Sequence, residues 1–277
     1  MSSRTDNGAD LALLVAISVG FLPEAQSLFS RFTNQPSGAT KIAINRCIGR
    51  LISTGVWPKL DVVRAYAAQD QQSALLNWVS TSYTATAVNA PTFTPFIGYT
   101  GNGTSSYLDE GFNPITAVSP KYVQNSGHIS FWDLTARAAD TTSQMGMRVS
   151  TTTQSVINTR FTGNSAYARI NTAGGAVNSG VLTNTGHYIA NRTDSVTLNL
   201  KKNGATIASS GAIASVAPPN ANVFSLARNF GGVAETWSSD TVGFITIGGG
   251  LTDSDAANLY SAIYGYMTDV GAVVGAP

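Results

Sequence analysis

The sequence predicts a mainly β protein, a sandwich of antiparallel sheets with a short helical segment in front and one helix at the end. Three observations carry this. From about residue 80, apolar and polar residues alternate at period two. The alternating runs are short and broken by Gly, Asn, Asp and Ser turn signals. Charge is lean, with 11% Asp, Glu, Lys and Arg against about 25% in an average domain. With 27 glycines in 277 residues, the composition suits many strands joined by tight turns, wet on their outer faces. A chain of this length buries a substantial core without covalent staples.

The helical lead-in is written in two stripes. Pro23 and Glu24 suit a helix start, and Ala25, Leu28, Phe29 and Phe32 follow at i, i+3, i+4 and i+7. Pro36-Ser37-Gly38 interrupts. Next, Ile44, Cys47, Ile48, Leu51 and Ile52 share a face, and Gly55 is placed to cap the end in a left-handed conformation. Cys47 therefore reads as a small core residue.

Val62, Val63, Ala65 and Tyr66 predict a strand, followed by a helical turn between Gln69 and Trp78. In 128–134, Ile129 and Phe131 face one way, and Ser130, Trp132 and Leu134 the other. Met145, Met147 and Val149 alternate likewise, and 155–161 and 166–170 continue the pattern. Val196, Leu198 and Leu200 lead into Asn203-Gly204, a two-residue turn whose residues accept the positive φ values of type I′. Val223 to Leu226 is a further strand, and Val242 to Ile247 is almost continuously apolar, which predicts a central strand covered on both faces. Thr252 is a good N-cap with Asp253 and Asp255 in the first turn, and Leu251 and Ala256 form a staple across it. Ala256, Leu259, Tyr260, Ile263, Met267 and Val270 form the buried stripe, and Gly271 ends the helix. No repeat of fixed period is present, which excludes a propeller or solenoid.

The net charge is +1 and the arginines are scattered, so no basic footprint for nucleic acid exists. The one adjacent lysine pair, Lys201–Lys202, reads as solvated strand-end charge. A single cysteine excludes an intrachain disulfide. The sequons at Asn102 and Asn191 read as turn sequences. The apolar run from Leu11 to Leu22 is shorter than the ~20 residues that span a bilayer, and it lacks the flanks of a signal peptide.

Catalytic signatures are missing. A glycosidase needs two carboxylates about 5–10 Å apart, which alternate residues on a strand supply. The glutamates are only Glu24, Glu110 and Glu235, none with an acid two residues away. Asp109 and Glu110 are adjacent, so a strand points them to opposite faces. Asp253 and Asp255 have the spacing but belong to a helix start. His128 and His187 begin predicted strands, where surface or turn-bonding roles are expected, and no G-x-S-x-G elbow is present. Two histidines and one cysteine make no structural zinc site. No phosphate loop or dinucleotide fingerprint occurs, and no acidic loop demands calcium. No cofactor is expected and the protein is expected not to be an enzyme.

Three stretches carry a family resemblance: YTGNGTSSYLDEGFNP (99–114), HYIANRTDSVTLNLKKNGATIASSG with VFSLARN, and DTVGFITIGGGLTDSDAANLYSAIYGYMTDVG (240–271). Together they resemble the laminin-G-like, concanavalin A-like domains of phage and prophage structural proteins. Residues 39–78 resemble the helical lead-in that precedes such domains, and the likeness covers about residues 39–271. It implies a concanavalin A-like β-sandwich (jelly roll) at 59–277 behind a helical attachment segment at 1–58. It also implies a virion component, a tail fibre, tail or capsid-decoration protein, with other virion proteins contacted through residues 1–58 and a homo-oligomeric assembly.

The lectin-like architecture adds a second expectation, carbohydrate binding. Sugars stack on aromatic rings and bond to Arg, Asn and Asp. Trp132, Tyr167, Trp237, Arg148 and Arg160 lie on or near predicted strands and are the candidate glycan-binding residues. The competing reading for Trp132 and Trp237 is core or rim packing, or a subunit interface. A glycan hydrolase is the least supported alternative.

Overall fold

The computed structural model describes residues 20–273. Most of the apolar run from Leu11 to Leu22 lies outside these residues. The helical lead-in forms as expected. Helix α1 (Pro23–Phe29) starts on Pro23, and Ala25, Leu28, Phe29 and Phe32 are all buried, Phe32 just past the helix end. Helix α2 (Gly38–Ser53) is capped by Ser37, whose hydroxyl accepts from the Thr40 N–H at 3.1 Å. Its stripe of Ile44, Cys47, Ile48 and Leu51 is buried, whereas Ile52 is only half-buried.

The strands follow in chain order. They are β1 (Leu60–Ala65), then the short helix α3 (Gln71–Ala74), then β2 (Thr86–Val88), β3 (Thr92–Thr94), β4 (Gly98–Thr100), β5 (Tyr107–Asp109) and β6 (Gly127–Asp133). Next come β7 (Met145–Ser150), β8 (Thr153–Phe161), β9 (Ser165–Thr172), β10 (Val177–Gly180), β11 (Gly186–Arg192) and β12 (Leu198–Lys202). The last are β13 (Ala205–Ser210), β14 (Phe224–Ser225), β15 (Arg228–Phe230), β16 (Val233–Glu235) and β17 (Thr241–Gly248), before helix α4 (Asp253–Asp269).

Two sheets form the expected sandwich. The first runs β13-β12-β11-β6-β17-β4-β3, with β1 sharing the far edge of β17 with β4. The second runs β10-β9-β8-β7-β14-β5-β2. The pairing is antiparallel except that β15 lies parallel to β7 and carries β16 on its other side. Between the sheets, Ile129, Phe131, Tyr188, Leu200, Ile245 and Ile247 meet Leu108, Met145, Met147, Ile157, Ala168 and Ile170 in one core.

The other face of the first sheet is also covered. Trp132, Ile189, Phe244, Val63 and Ala65 pack under α1, α2 and α4 in a second core with Leu28, Ile48, Leu51, Ile263 and Met267. This explains the unbroken apolar run of β17, since a strand buried on both faces gains nothing from alternation. It also makes residues 21–58 a structural layer. Their apolar stripe is spent on the sheet and on α4 rather than displayed for attachment.

The hairpin between β12 and β13 turns at Asn203 (φ 50°) and Gly204 (φ 80°), the geometry the Asn-Gly pair predicts. At α4, the Thr252 hydroxyl accepts from the Asp255 N–H at 3.1 Å, and the Asp255 carboxylate accepts from the Thr252 N–H at 2.8 Å. This reciprocal cap fixes the helix start.

Several expectations are corrected. Lys201 is fully buried, not solvated: it lies under the start of α4, paired with Asp253 and donating to Thr206. Neither histidine is on the surface. His128 bonds the Gly249 carbonyl at 2.6 Å and Thr246 at 3.0 Å, and His187 is buried with no hydrogen-bond partner for either ring nitrogen. Asn102 does make a turn, its side-chain oxygen accepting from the amides of 104, 105 and 106. Asn191, however, sits inside β11, where it accepts from the Leu251 N–H and donates to the Leu251 carbonyl. Val149 and Val196 lie outside the cores, 38% and 42% exposed.

Candidate functional site

The first sheet has no free face, so the outer face of the second sheet is the side of the sandwich left to solvent. Its strands are amphipathic in the simplest way. Along β9 (SAYARINT), Ala166, Ala168 and Ile170 point into the core, which turns Tyr167 and Arg169 outward. Pairing aligns Asn178 and Tyr167 outward across β10 and β9, with Arg169 beside Val156 in the next row; Asn158, opposite Tyr167 on β8, is fully buried and donates to the Thr142 carbonyl. A groove of about 520 Å³ opens here, lined by Phe161, Thr162, Ser165, Tyr167, Arg169, Ala176 and Asn178. The Phe161 ring meets Tyr167 edge-on at 5.2 Å, and the Arg169 guanidinium lies 5.2 Å from the Tyr167 ring centre.

Beyond β8, β7 and β15 contribute Arg148, Arg228 and Phe230 to the same face. The Arg148 guanidinium stacks 4.2 Å above Phe230. Glu235 on β16 accepts from Arg228 Nε at 2.9 Å and lies 3.7 Å from Arg148 Nε. The tight reversal between β15 and β16 uses Gly231 (φ 59°) and Gly232 (φ 100°), and Asn229 accepts from the Gly232 N–H at 2.7 Å. Further along, Phe224, Ala227 and Ala234 pack with Tyr107 and Trp237 in a small outer cluster. Burial raises the Tyr167 phenol, and the charges of Arg169, Arg228 and Arg148 partly offset that rise.

Of the candidate glycan-binding residues, Tyr167 and Arg148 come together on this face. Trp237 sits at its far side, half-buried, with its Nε1 shielded and unpaired. Arg160 lies at the edge, held by Asn164 (3.0 Å) and the Arg137 carbonyl (2.6 Å). Trp132 does not belong to the site. It is 4% exposed on the helix-covered side of the first sheet, its ring parallel to those of His187, Tyr260 and Tyr264 at 5.4, 5.7 and 6.3 Å. The alternation of β6 placed it opposite Phe131 correctly, but the sequence did not show that a helix covers that side. Arg169, Arg228, Phe161 and Asn178 were missed. The signal for Arg169 was present, two residues from Tyr167 on a strand whose alternate residues are Ala, Ala and Ile.

A close pair of acids does exist, Asp133 and Asp240, but neither is exposed. Burial raises Asp133 well above the usual carboxylate range, and the Asp240 charge adds to it. Asp133 accepts from Thr159 and Asn184, and Asp240 from Arg137 and Gln144. This interior network closes one end of the sandwich and presents no carboxylate to the groove. Glu110 is likewise internal, bonded to Arg64, Tyr66 and Ser225, while Asp109 faces outward to Asn222. The two adjacent acids thus point to opposite faces, as their spacing implied. Among the described residues there is no group of three or more His, Cys, Asp or Glu able to hold a metal, and no helix is long and apolar enough to cross a membrane. Cys47 is buried, its thiol pushed up to about 12 by burial.

No protein-family model and no curated protein matches the chain. Solved structures do. The botulinum neurotoxin serotype D binding domain aligns over 74% of this chain and 52% of its own, at 10% identity and TM-score 0.52. Domain 4 of AbnA, a GH43 extracellular arabinanase from Geobacillus stearothermophilus solved in complex with arabinotriose, aligns over 73% of this chain and 98% of its own, at 15% identity and TM-score 0.49. The chain spans about half the length of the neurotoxin chain it matches. At these identities the likeness concerns architecture alone: this chain is a two-sheet antiparallel β-sandwich.

Proposed function

We propose that the protein is a non-enzymatic carbohydrate-binding module that holds glycans on the outer face of the second sheet. The observation that carries this reading is the outward pair of Asn178 and Tyr167 beside Arg169 at an open groove of about 520 Å³. An aromatic ring offers area and a CH-facing surface to a sugar. Amide and guanidinium groups on rigid strands bond its hydroxyls without a large ordering cost. No carboxylate lines the groove, so the reading assigns binding and not bond cleavage.

A glycan array on the full chain, followed by calorimetric titration of the best ligand, tests it. Tyr167→Ala is expected to weaken binding at least about tenfold while leaving the thermal midpoint within a few degrees. No bound glycan, or an unchanged affinity in the variant, overturns the proposal.

The sequence resemblance of residues 39–271 supports a compatible second reading: a virion structural protein, assembled in the host and displaying this face outward. Because the apolar stripes of α1 and α2 are buried, attachment within residues 1–58 would then use the polar sides of these helices or the chain before residue 20. Electron microscopy of particles labelled at the N-terminus is expected to find the label at the particle attachment point. Finding the chain only as a free monomer contradicts this second reading.

A further inference from the structure

The groove face holds more positive charge than the chain around it satisfies. Arg148, Arg169 and Arg228 stand on it, and the carboxylate beside Arg148 and Arg228 is Glu235. Glu235 is engaged by Arg228 at 2.8 Å and is 3.7 Å from Arg148. Arg169 has no carboxylate partner among the described residues. Its Nη1 donates to the neutral Gln154 amide oxygen at 3.1 Å, and its Nε is shielded from water with no hydrogen-bond partner. The Nε of Arg148 is in the same condition. Arg169 lines the open groove with its charge unmatched by a carboxylate, so an acid from outside would find its partner there.

We infer that the groove selects anionic saccharides, those carrying a carboxylate or sulfate, with the acidic group received by Arg169 and the sugar ring held by Tyr167. This rests on the glycan-binding reading above and narrows it to a substrate class. The planar fork of Arg matches two oxygens of a carboxylate or sulfate at once, which an ammonium does not. The Tyr167 ring, itself met edge-on by Phe161, and the Gln154 amide oxygen hold the guanidinium, so it is organised before the ligand arrives. The Asn178 amide, beside Tyr167 on the groove wall, is available to hydroxyls of the ring.

The test is a titration of the full chain with matched saccharides: 3′-sialyllactose and 3′-sulfolactose, each against lactose, and trigalacturonate against galactotriose. At least one acidic member is expected to bind about tenfold or more tighter than its neutral partner. The two lactose derivatives tell carboxylate from sulfate. Arg169→Gln is expected to abolish that preference while leaving the neutral partner's affinity unchanged, and Arg169→Lys to recover only part of it. Thermal midpoints of both variants confirm folding. Neutral members binding as tightly as acidic ones, or an acid preference that survives Arg169→Gln, overturn this inference and leave glycan binding standing. If a neutral glycan from the array binds while none of the acidic members does, the inference also fails. Absence of any glycan binding removes both.

Discussion

Trp132 and Tyr167 are both aromatic residues on strands, and the structure assigns them opposite work. Trp132→Ala empties a slot between the first sheet and α4, whereas Tyr167→Ala trims a groove wall. An indole buries about 200 Å², which at ~25 cal/mol/Å² is about 5 kcal/mol. That figure is an upper bound, because the unfolded chain already hides part of the ring. Three parallel ring contacts, to His187, Tyr260 and Tyr264, add to the loss. Large-to-small changes at core tryptophans cost about 3–5 kcal/mol, so about 4 kcal/mol is expected for Trp132→Ala. At roughly 2–4 °C per kcal/mol, the thermal midpoint falls by about 10 °C. Near-ultraviolet dichroism is expected to weaken with it, as Tyr260 and Tyr264 lose their stacking partner. Tyr167→Ala is expected to cost under about 1 kcal/mol, as for a half-exposed position. Urea unfolding of both variants gives the comparison. If Trp132→Ala costs less than 1 kcal/mol, or Tyr167→Ala costs the more, the division between core and site is wrong.

Other perturbations have equally definite signs. Glu110→Ala strands the fully buried Arg64 and is expected to cost about 3–5 kcal/mol. The double variant Arg64→Leu/Glu110→Leu should recover much of that in urea unfolding, and no recovery contradicts the account. Burial holds His128 at about 4 and His187 at about 3, against an ordinary 6.5. The unfolded chain takes up these protons below about pH 6.5 while the folded chain does not. Stability from this source is therefore full above 6.5 and is lost as pH falls toward 4, by up to ~1.4 kcal/mol per pH unit per histidine. Asp133, raised by burial, acts oppositely and favours the folded state at low pH. His187→Phe is expected to make the acid loss shallower between pH 6.5 and 4 in denaturant midpoints, and an unchanged slope contradicts this. Gly98→Ala places a Cβ 1.9 Å from the Val242 carbonyl oxygen at φ +139°. Strain and overpacking together are expected to cost roughly 2–4 kcal/mol, and a neutral result in thermal unfolding refutes the close approach of β4 to β17.

The period-two pattern was enough to reveal the sandwich, and the FITI run of β17 announced a strand with no wet face. The N-cap at Thr252, the Asn-Gly hairpin and the stripes of α1 and α2 were equally legible, because each rests on neighbours in sequence. What covers the second face of the first sheet was not legible. The Leu259–Met267 stripe declares that α4 is buried, yet nothing local says it lies on Trp132 and Lys201. Hence Trp132 stood open between sugar platform and core packing, of which the structure shows the packing, and Lys201 read as a solvated charge. The Asp133–Asp240 pair was hidden for the same reason: 107 residues separate them, and only the register of β6 with β17 brings them together. The site was half legible. Tyr167 and Arg148 were named from alternation, while the guanidinium excess needed the pairing of β7 with β15 and of β8 with β9 to become visible.

Backbone amide resonances followed during titration with the strongest glycan ligand locate binding on the molecule itself. Glycan binding by the groove face predicts that shifts concentrate in β8 and β9, in β10 around Asn178, and in the β15–β16 hairpin. Shifts confined to α2 and α4, with residues 156–169 unmoved, contradict it.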